Sequence, residues 1–303
     1  MILVVRLVQA PQYTLKTNSW NIYDVIVNPT KFCRSRLENL RYLKLSFMKK
    51  QFKKWTFRLV ITGLFLFALL VICMLDPIIL YANKTVIGNY SIYHNKPLNK
   101  NFPDQLQHAN SIIRSSELYV PDLKMDICLK DGSNYPKLIA KVMGKDFLSS
   151  FYNKIIFTGD LVNYEKNYIQ LDGHKWNLTE MMAHAEVHCL EFNKYGLWQS
   201  NPIGNHPGWK WEGYPEFIAR QNFGGQNLRK DIGTLSSKEG INNDGWMLLP
   251  DSTETLISFY KYRLLIQFCM NIKNMSFVQV LKDTAQEETV RQQMMAWYAR
   301  QHS

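Results

Sequence analysis

Acidic residues are nearly missing from the first 58 positions, which hold two Asp/Glu against twelve Lys/Arg, a net of +10. Residues 59–303 hold twenty-three against twenty-four, a net of +1. The overall charge of +11 is therefore confined to one end. A nucleic-acid surface would place its basic residues in the folded part, so this distribution argues against a nucleic-acid partner. Charge of either sign then disappears between Leu59 and Leu75, where one glycine is the only interruption. An uncharged run of that length, preceded by Lys49, Lys50, Lys53, Lys54 and Arg58 and followed by Asp76, reads as a membrane-spanning helix. No small-x-small cleavage site follows it at Leu80-Tyr81-Ala82, which disfavours a removed signal peptide and favours an uncleaved anchor. By the positive-inside rule the N-terminus is cytoplasmic and the C-terminal domain extracytoplasmic. Cysteine is scarce too. Of five, Cys128, Cys189 and Cys269 fall after the anchor, so at least one stays a free thiol. A Cys128–Cys269 bridge is open.

These patterns divide the chain. Residues 1–58 are a basic cytoplasmic segment, of which 1–47 is either a poorly ordered extension or an upstream misassignment of the start codon. Residues 59–81 are the transmembrane anchor, and 82–101 a polar juxtamembrane linker. Residues 102–303 are the folded domain. Sequons begin at Asn83, Asn89, Asn177 and Asn274. In the domain, helices are expected at Phe102–Tyr119 and Tyr135–Met143. Strands are expected at Met125–Leu129, Ile155–Thr158 and Tyr168–Leu171. Three more helices are expected at Thr255–Asn271, Phe277–Asp283 and Glu287–Arg300.

The chemistry concentrates in residues 177–221. Asn177 is a good N-cap, and Glu180, three residues on, completes a capping-box pattern. Apolar residues recur at Leu178, Met181, Met182, Val187, Leu190 and Phe192, and Gly196 suits a left-handed helix end. His184 and His188 thus stand one turn apart on one helix face, as two imidazoles sharing a metal ion require. Glu212 follows His188 by twenty-four residues and can supply a carboxylate.

MMAHAEVHC resembles the active-site helix of the HExxH zinc metallopeptidases, and PGWKWEGYPEF resembles the "P-x-W-x-x-E-G-x-A-E-[YF]" segment of their gluzincin-like members. The resemblance covers roughly residues 100–300, with its specific motifs in 177–217. It implies an α+β, zincin-like fold: a small N-terminal sheet with helices, then a mainly helical part, with the sheet edge bordering a substrate cleft. It also implies Zn²⁺ held by His184, His188 and Glu212. The residue after the first histidine is the family's general base. Here it is Ala185, and the nearest carboxylate, Glu186, comes one place late. On a regular helix, residue 186 points about 180° from the metal direction. A second departure is Pro215, where the family usually has Ala.

Three functions follow as expectations. The first is a membrane-anchored zinc-binding protein with impaired or absent peptidase activity. The second is an active zinc peptidase using a displaced carboxylate, with Glu186 as one candidate. The third is a non-enzymatic envelope protein using the Trp198–Trp211 segment as a contact surface. The expected partners are the membrane, crossed once, and a peptide or protein. Glu191 is expected to support the histidines, Cys189 to pack in the core, and Tyr260, Tyr262 and His206 to stay out of the chemistry.

Overall fold

The computed structural model describes residues 29–221, 227–238 and 245–300. The chain divides into two units after Leu70. Helix α1 (Pro29–Leu75) opens the described chain. Its stretch Phe47–Cys73, 27 residues or about 40 Å, is long and apolar enough to cross a membrane. Phe52, Phe57, Leu64 and Phe65 lie exposed along it, so packing among the described residues does not explain their apolarity.

The expected span 59–81 is corrected at its C-terminal end, where α1 stops at Leu75. Pro77 disfavours helical backbone at Asp76, which is extended (φ −126°, ψ 97°) and caps a separate 3-10 turn, Pro77–Leu80, through Ile78 N–H (3.1 Å). Residues 77–81 belong to the folded body: Pro77 is buried, and Tyr81 Oη donates to the Leu129 carbonyl (3.0 Å). Of the expected poorly ordered extension, 29–47 is helical, and the rest lies outside the described residues.

The second unit is α+β. Its main sheet has the order β1-β2-β3-β5-β4, built from β1 (Asn83–Ile87), β2 (Tyr90–His94), β3 (Met125–Cys128), β4 (Leu148–Phe151) and β5 (Lys154–Phe157). The expected linker 82–101 is therefore wrong over 83–94. β1 and β2 form an antiparallel hairpin about Gly88 (φ 56°), and β2 pairs in parallel with β3 inside the sheet. The three central strands are buried on both faces. Ile92, Ile127 and Ile155 lie in one register row and enter the main core. Tyr93, Cys128 and Ile156 lie in the next row, on the opposite face. There they meet Tyr135 and Ile139 of α3 (Tyr135–Met143). Cys128 and Cys269 are both free thiols, so the open bridge is not formed.

A three-stranded antiparallel sheet follows: β6 (Leu161–Asn163), β7 (Tyr168–Leu171) and β8 (His174–Asn177). Strand β8 runs directly into α4 (Leu178–Gln199), whose left-handed residue Gly196 (φ 70°) ends the regular part. Helix α4 packs on β4 and β5 of the main sheet and against α2 (Phe102–Ile113). The C-terminal part holds α5 (Gly208–Trp211), α6 (Gly213–Ala219), α7 (Leu228–Lys238), α8 (Ile257–Gln267), α9 (Phe277–Lys282) and α10 (Glu287–Arg300). A short hairpin of β9 (Trp246–Leu248) and β10 (Glu254–Leu256) precedes α8. Helix α6 packs between α4 and α8. Strand β4 is left as the sheet edge beside α4, and this arrangement builds the cleft.

Candidate metal centre

Helix α4 starts where the sequence says, because Asn177 Oδ1 accepts from Glu180 N–H (3.2 Å). The reciprocal half of the capping box is not made. The buried Glu180 carboxylate instead pairs with Arg220 (2.9 Å). The helix is buried almost all round from Leu178 to Phe192, with Glu180, His184, Glu186 and Glu191 among its buried residues. Burying charge is costly unless it is paired, so each of these groups should have a partner.

They do, and the pairing builds a site. His184 Nε2 and His188 Nε2 face each other at 3.1 Å. Glu212 Oε2 lies 3.2 Å from His188 Nε2 and 3.5 Å from His184 Nε2. Three ligands at zinc-type bond lengths in a tetrahedron are separated by about 3.3 Å. His184, His188 and Glu212 therefore fit three corners around one ion, and the group can hold a metal.

The far side of each imidazole is also held. His188 Nδ1 lies 2.7 Å from Glu191 Oε2, and His184 Nδ1 lies 3.3 Å from Glu216 Oε2. With a cation among the three donors, each Nδ1–H donates to its carboxylate and each Nε2 lone pair faces the ion. Glu216 in turn accepts from Arg220 Nε, and Arg220 Nη1 reaches Glu180. Ring stacking fixes the planes: His184 lies against Phe259 (6.0 Å, 11°) and His188 against Trp211 (6.2 Å, 25°).

The electrostatics favour a cation. Burial alone would depress His188, but the Glu212 and Glu191 carboxylates outweigh it and lift its pKa to about 10. Burial would raise Glu216, yet Arg220 and His184 bring it down to about 2. Glu212 is likewise held well below the carboxylate range by the two histidines, against its own burial. The site thus recruits positive charge, which a divalent ion supplies more compactly than two imidazolium groups.

Glu212 is placed by a tight joint. It is both the C-cap of α5 and the N-cap of α6. Gly213 follows because a Cβ there would meet the Tyr262 carbonyl oxygen at 2.8 Å and Ile266 Cγ1 at 2.9 Å. Pro215 sits in the first turn of α6, where no intrahelical N–H bond is lost.

A cleft of about 910 Å³ opens over the three ligands. Its lining includes the aromatic residues Phe147, Trp176, Trp246 and Phe259, and also Asp146 and the edge-strand residues Ser149 and Ser150. Phe147 meets Trp176 and Trp246 edge-on (5.5 and 5.9 Å).

Other expected residues fall as follows. Ala185 is packed in the core, its carbonyl accepting from Ser150 Oγ (3.2 Å). Glu186 does not line the cleft. It is fully buried on the far side and accepts from Tyr90 Oη (3.0 Å), so as a base candidate it is corrected. Its pKa is pushed up by burial to about 8. Cys189 is buried, and its thiol faces the Lys154 carbonyl (3.8 Å). Tyr260 is buried against Arg263 (4.6 Å), and Tyr262 does not line the cleft. His206 stacks on the outer face of Trp211 (5.2 Å) and contacts the Gln199 carbonyl. The expected contact surface is corrected too: Trp209 and Trp211 are buried, whereas Trp198 is 77% exposed. Glu216, Arg220 and Asp146 are new. Glu212, Glu216 and Arg220 recur every four residues, a spacing that puts them on one helix face. Asp146 has no such signal, because it stands in a loop.

Compared with known proteins, the chain matches no family model, no curated protein and no solved structure.

Proposed function

We propose that this chain is a single-pass membrane protein, with its N-terminus cytoplasmic, that carries a zincin-like domain on the other side of the bilayer. The domain binds one Zn²⁺ through His184, His188 and Glu212 and is of peptidase type. Its helix lacks the base that such chemistry ordinarily uses, so hydrolysis by that route is impaired. The observation that carries this reading is the 3.1–3.5 Å separation of the three donor atoms. Zinc is favoured over harder ions because two of the donors are imidazole nitrogens.

Bound Zn²⁺ would polarise a carbonyl and acidify a water in this cleft. The chain's own residues do the rest. Glu191 and Glu216 hold the imidazoles in the ligating tautomer. The aromatic lining residues give an apolar surface to a substrate side chain. The unpaired edge of β4 offers backbone groups to an extended peptide. Ala185 can move no proton, and Glu186 is on the wrong side to do so.

The test is hydrolysis of a mixed peptide library by the full-length chain, purified in detergent, with and without a zinc chelator. Slow turnover that stops on chelation supports the proposal. Turnover that survives removal of all metal would contradict it.

A further inference from the structure

Removing the helix-borne base leaves the cleft needing a proton acceptor. We propose that Asp146, on the loop that enters edge strand β4, is the general base of this site; the inference rests on the zinc reading above.

Asp146 lines the same cleft as His184, His188 and Glu212. Asp146 does not join the three ligands, whose donor atoms all lie within 4.8 Å of one another. A water-activating carboxylate should stand beyond ligand distance yet within hydrogen-bond reach of the attacking water. Its position is also firm. The Asp146 carbonyl accepts from Thr158 Oγ1 (2.8 Å), and its Oδ1 accepts from Phe147 N–H (2.7 Å). Phe147 anchors the loop through Trp176 and Trp246, and its carbonyl takes Thr158 N–H and Gly159 N–H (3.1 and 2.8 Å). The adjoining strand is pinned to the metal helix at the vacated base position, through Ser150 Oγ and the Ala185 carbonyl. One carboxylate oxygen is held by Phe147, and the residue remains open to the cleft.

Its surroundings suit the task. Asp146 is exposed to the cleft, with the two histidines and Glu212 as charged neighbours. Of the charged groups nearby, Lys145 is turned away towards Asp172 (3.4 Å). In the step, the Asp146 carboxylate takes a proton from a water whose oxygen bonds to the peptide carbonyl carbon. It returns that proton to the amide nitrogen as the C–N bond breaks. Water is the only co-reactant, and Asp146 ends as it began.

The experiment uses the full-length chain in detergent, loaded with Zn²⁺, as wild type, Asp146→Asn and Asp146→Glu. Zinc per chain and zinc affinity are measured by chelator competition. Turnover of a quenched fluorescent hexapeptide library is measured across pH. Asp146→Asn should keep its zinc, lose roughly 10²–10⁴ in kcat, and lose the acidic limb of the rate profile. Asp146→Glu should recover part of the rate. Wild-type turnover in Asp146→Asn, loss of its zinc (a ligand role), or a zinc-loaded wild type that hydrolyses nothing would each overturn the assignment of Asp146. A wild type that binds no zinc fails differently, at the metal reading itself.

Discussion

Glu191→Gln separates a built metal centre from a buried pairing of histidines with acids. Glu191 is fully buried and accepts a 2.7 Å hydrogen bond from His188 Nδ1–H. Gln fits the same volume and can still accept that bond, so geometry survives and only the charge is lost. Carboxylates that orient a metal-bound imidazole contribute roughly 10–100-fold to affinity. The metal-free fold also loses a charge partner of buried His188, so its melting temperature should fall. Zinc affinity is therefore read directly, from chelator competition, and should fall roughly 10–100-fold. At a zinc concentration about 1,000 times the wild-type Kd, zinc stabilises by about 4 kcal/mol, and a 100-fold weaker site keeps only about 1.4 of that. For a body of this size the lost stabilisation is about 5–10 °C of the zinc-induced shift. Unchanged zinc affinity would refute the reasoning, because Glu191 would then be a partner of His188 with no bearing on metal.

Other substitutions test other joints. Gly213→Ala forces a Cβ against the Tyr262 carbonyl, so it should cost about 1–3 kcal/mol in unfolding experiments and weaken zinc by moving the adjacent Glu212. Glu186→Gln tests a buried acid outside the cleft. Its pKa is about 8 in the fold against 4.5 unfolded. Between those values the native state holds a proton that the unfolded chain has released, so stability falls as pH rises through that window. Glu186→Gln should flatten this fall and be the more stable protein above pH 8, by up to a few kcal/mol. Parallel melting curves for the two proteins from pH 5 to 9 would contradict it.

Much of this was legible beforehand, for identifiable reasons. The two histidines and the Asn177 cap lie within one helix, where spacing alone sets direction, and they stand where the spacing puts them. Helices α3 and α10 and strand β7 match their expected bounds, since strong periodicity and flanking turn residues mark them. Polarity alone makes the first hairpin read as linker. Yet Gly88-Asn89 between β-branched and aromatic residues is a turn signal. Asp146 was out of reach, because its value comes from a loop meeting a helix that begins thirty-two residues later. The packing of Ala185 was equally hidden. It depends on β4 crossing α4, so restoring a glutamate there would press a carboxylate into the core beneath Ser150.

The most direct test of the whole account is the zinc content of the full-length chain beside His184→Ala. About one zinc per chain in the wild type, lost in the variant while the helical signal is kept, is the expected result. A wild type that takes up no zinc from a stoichiometric supply at neutral pH would contradict the metal centre, and with it the peptidase reading built on it.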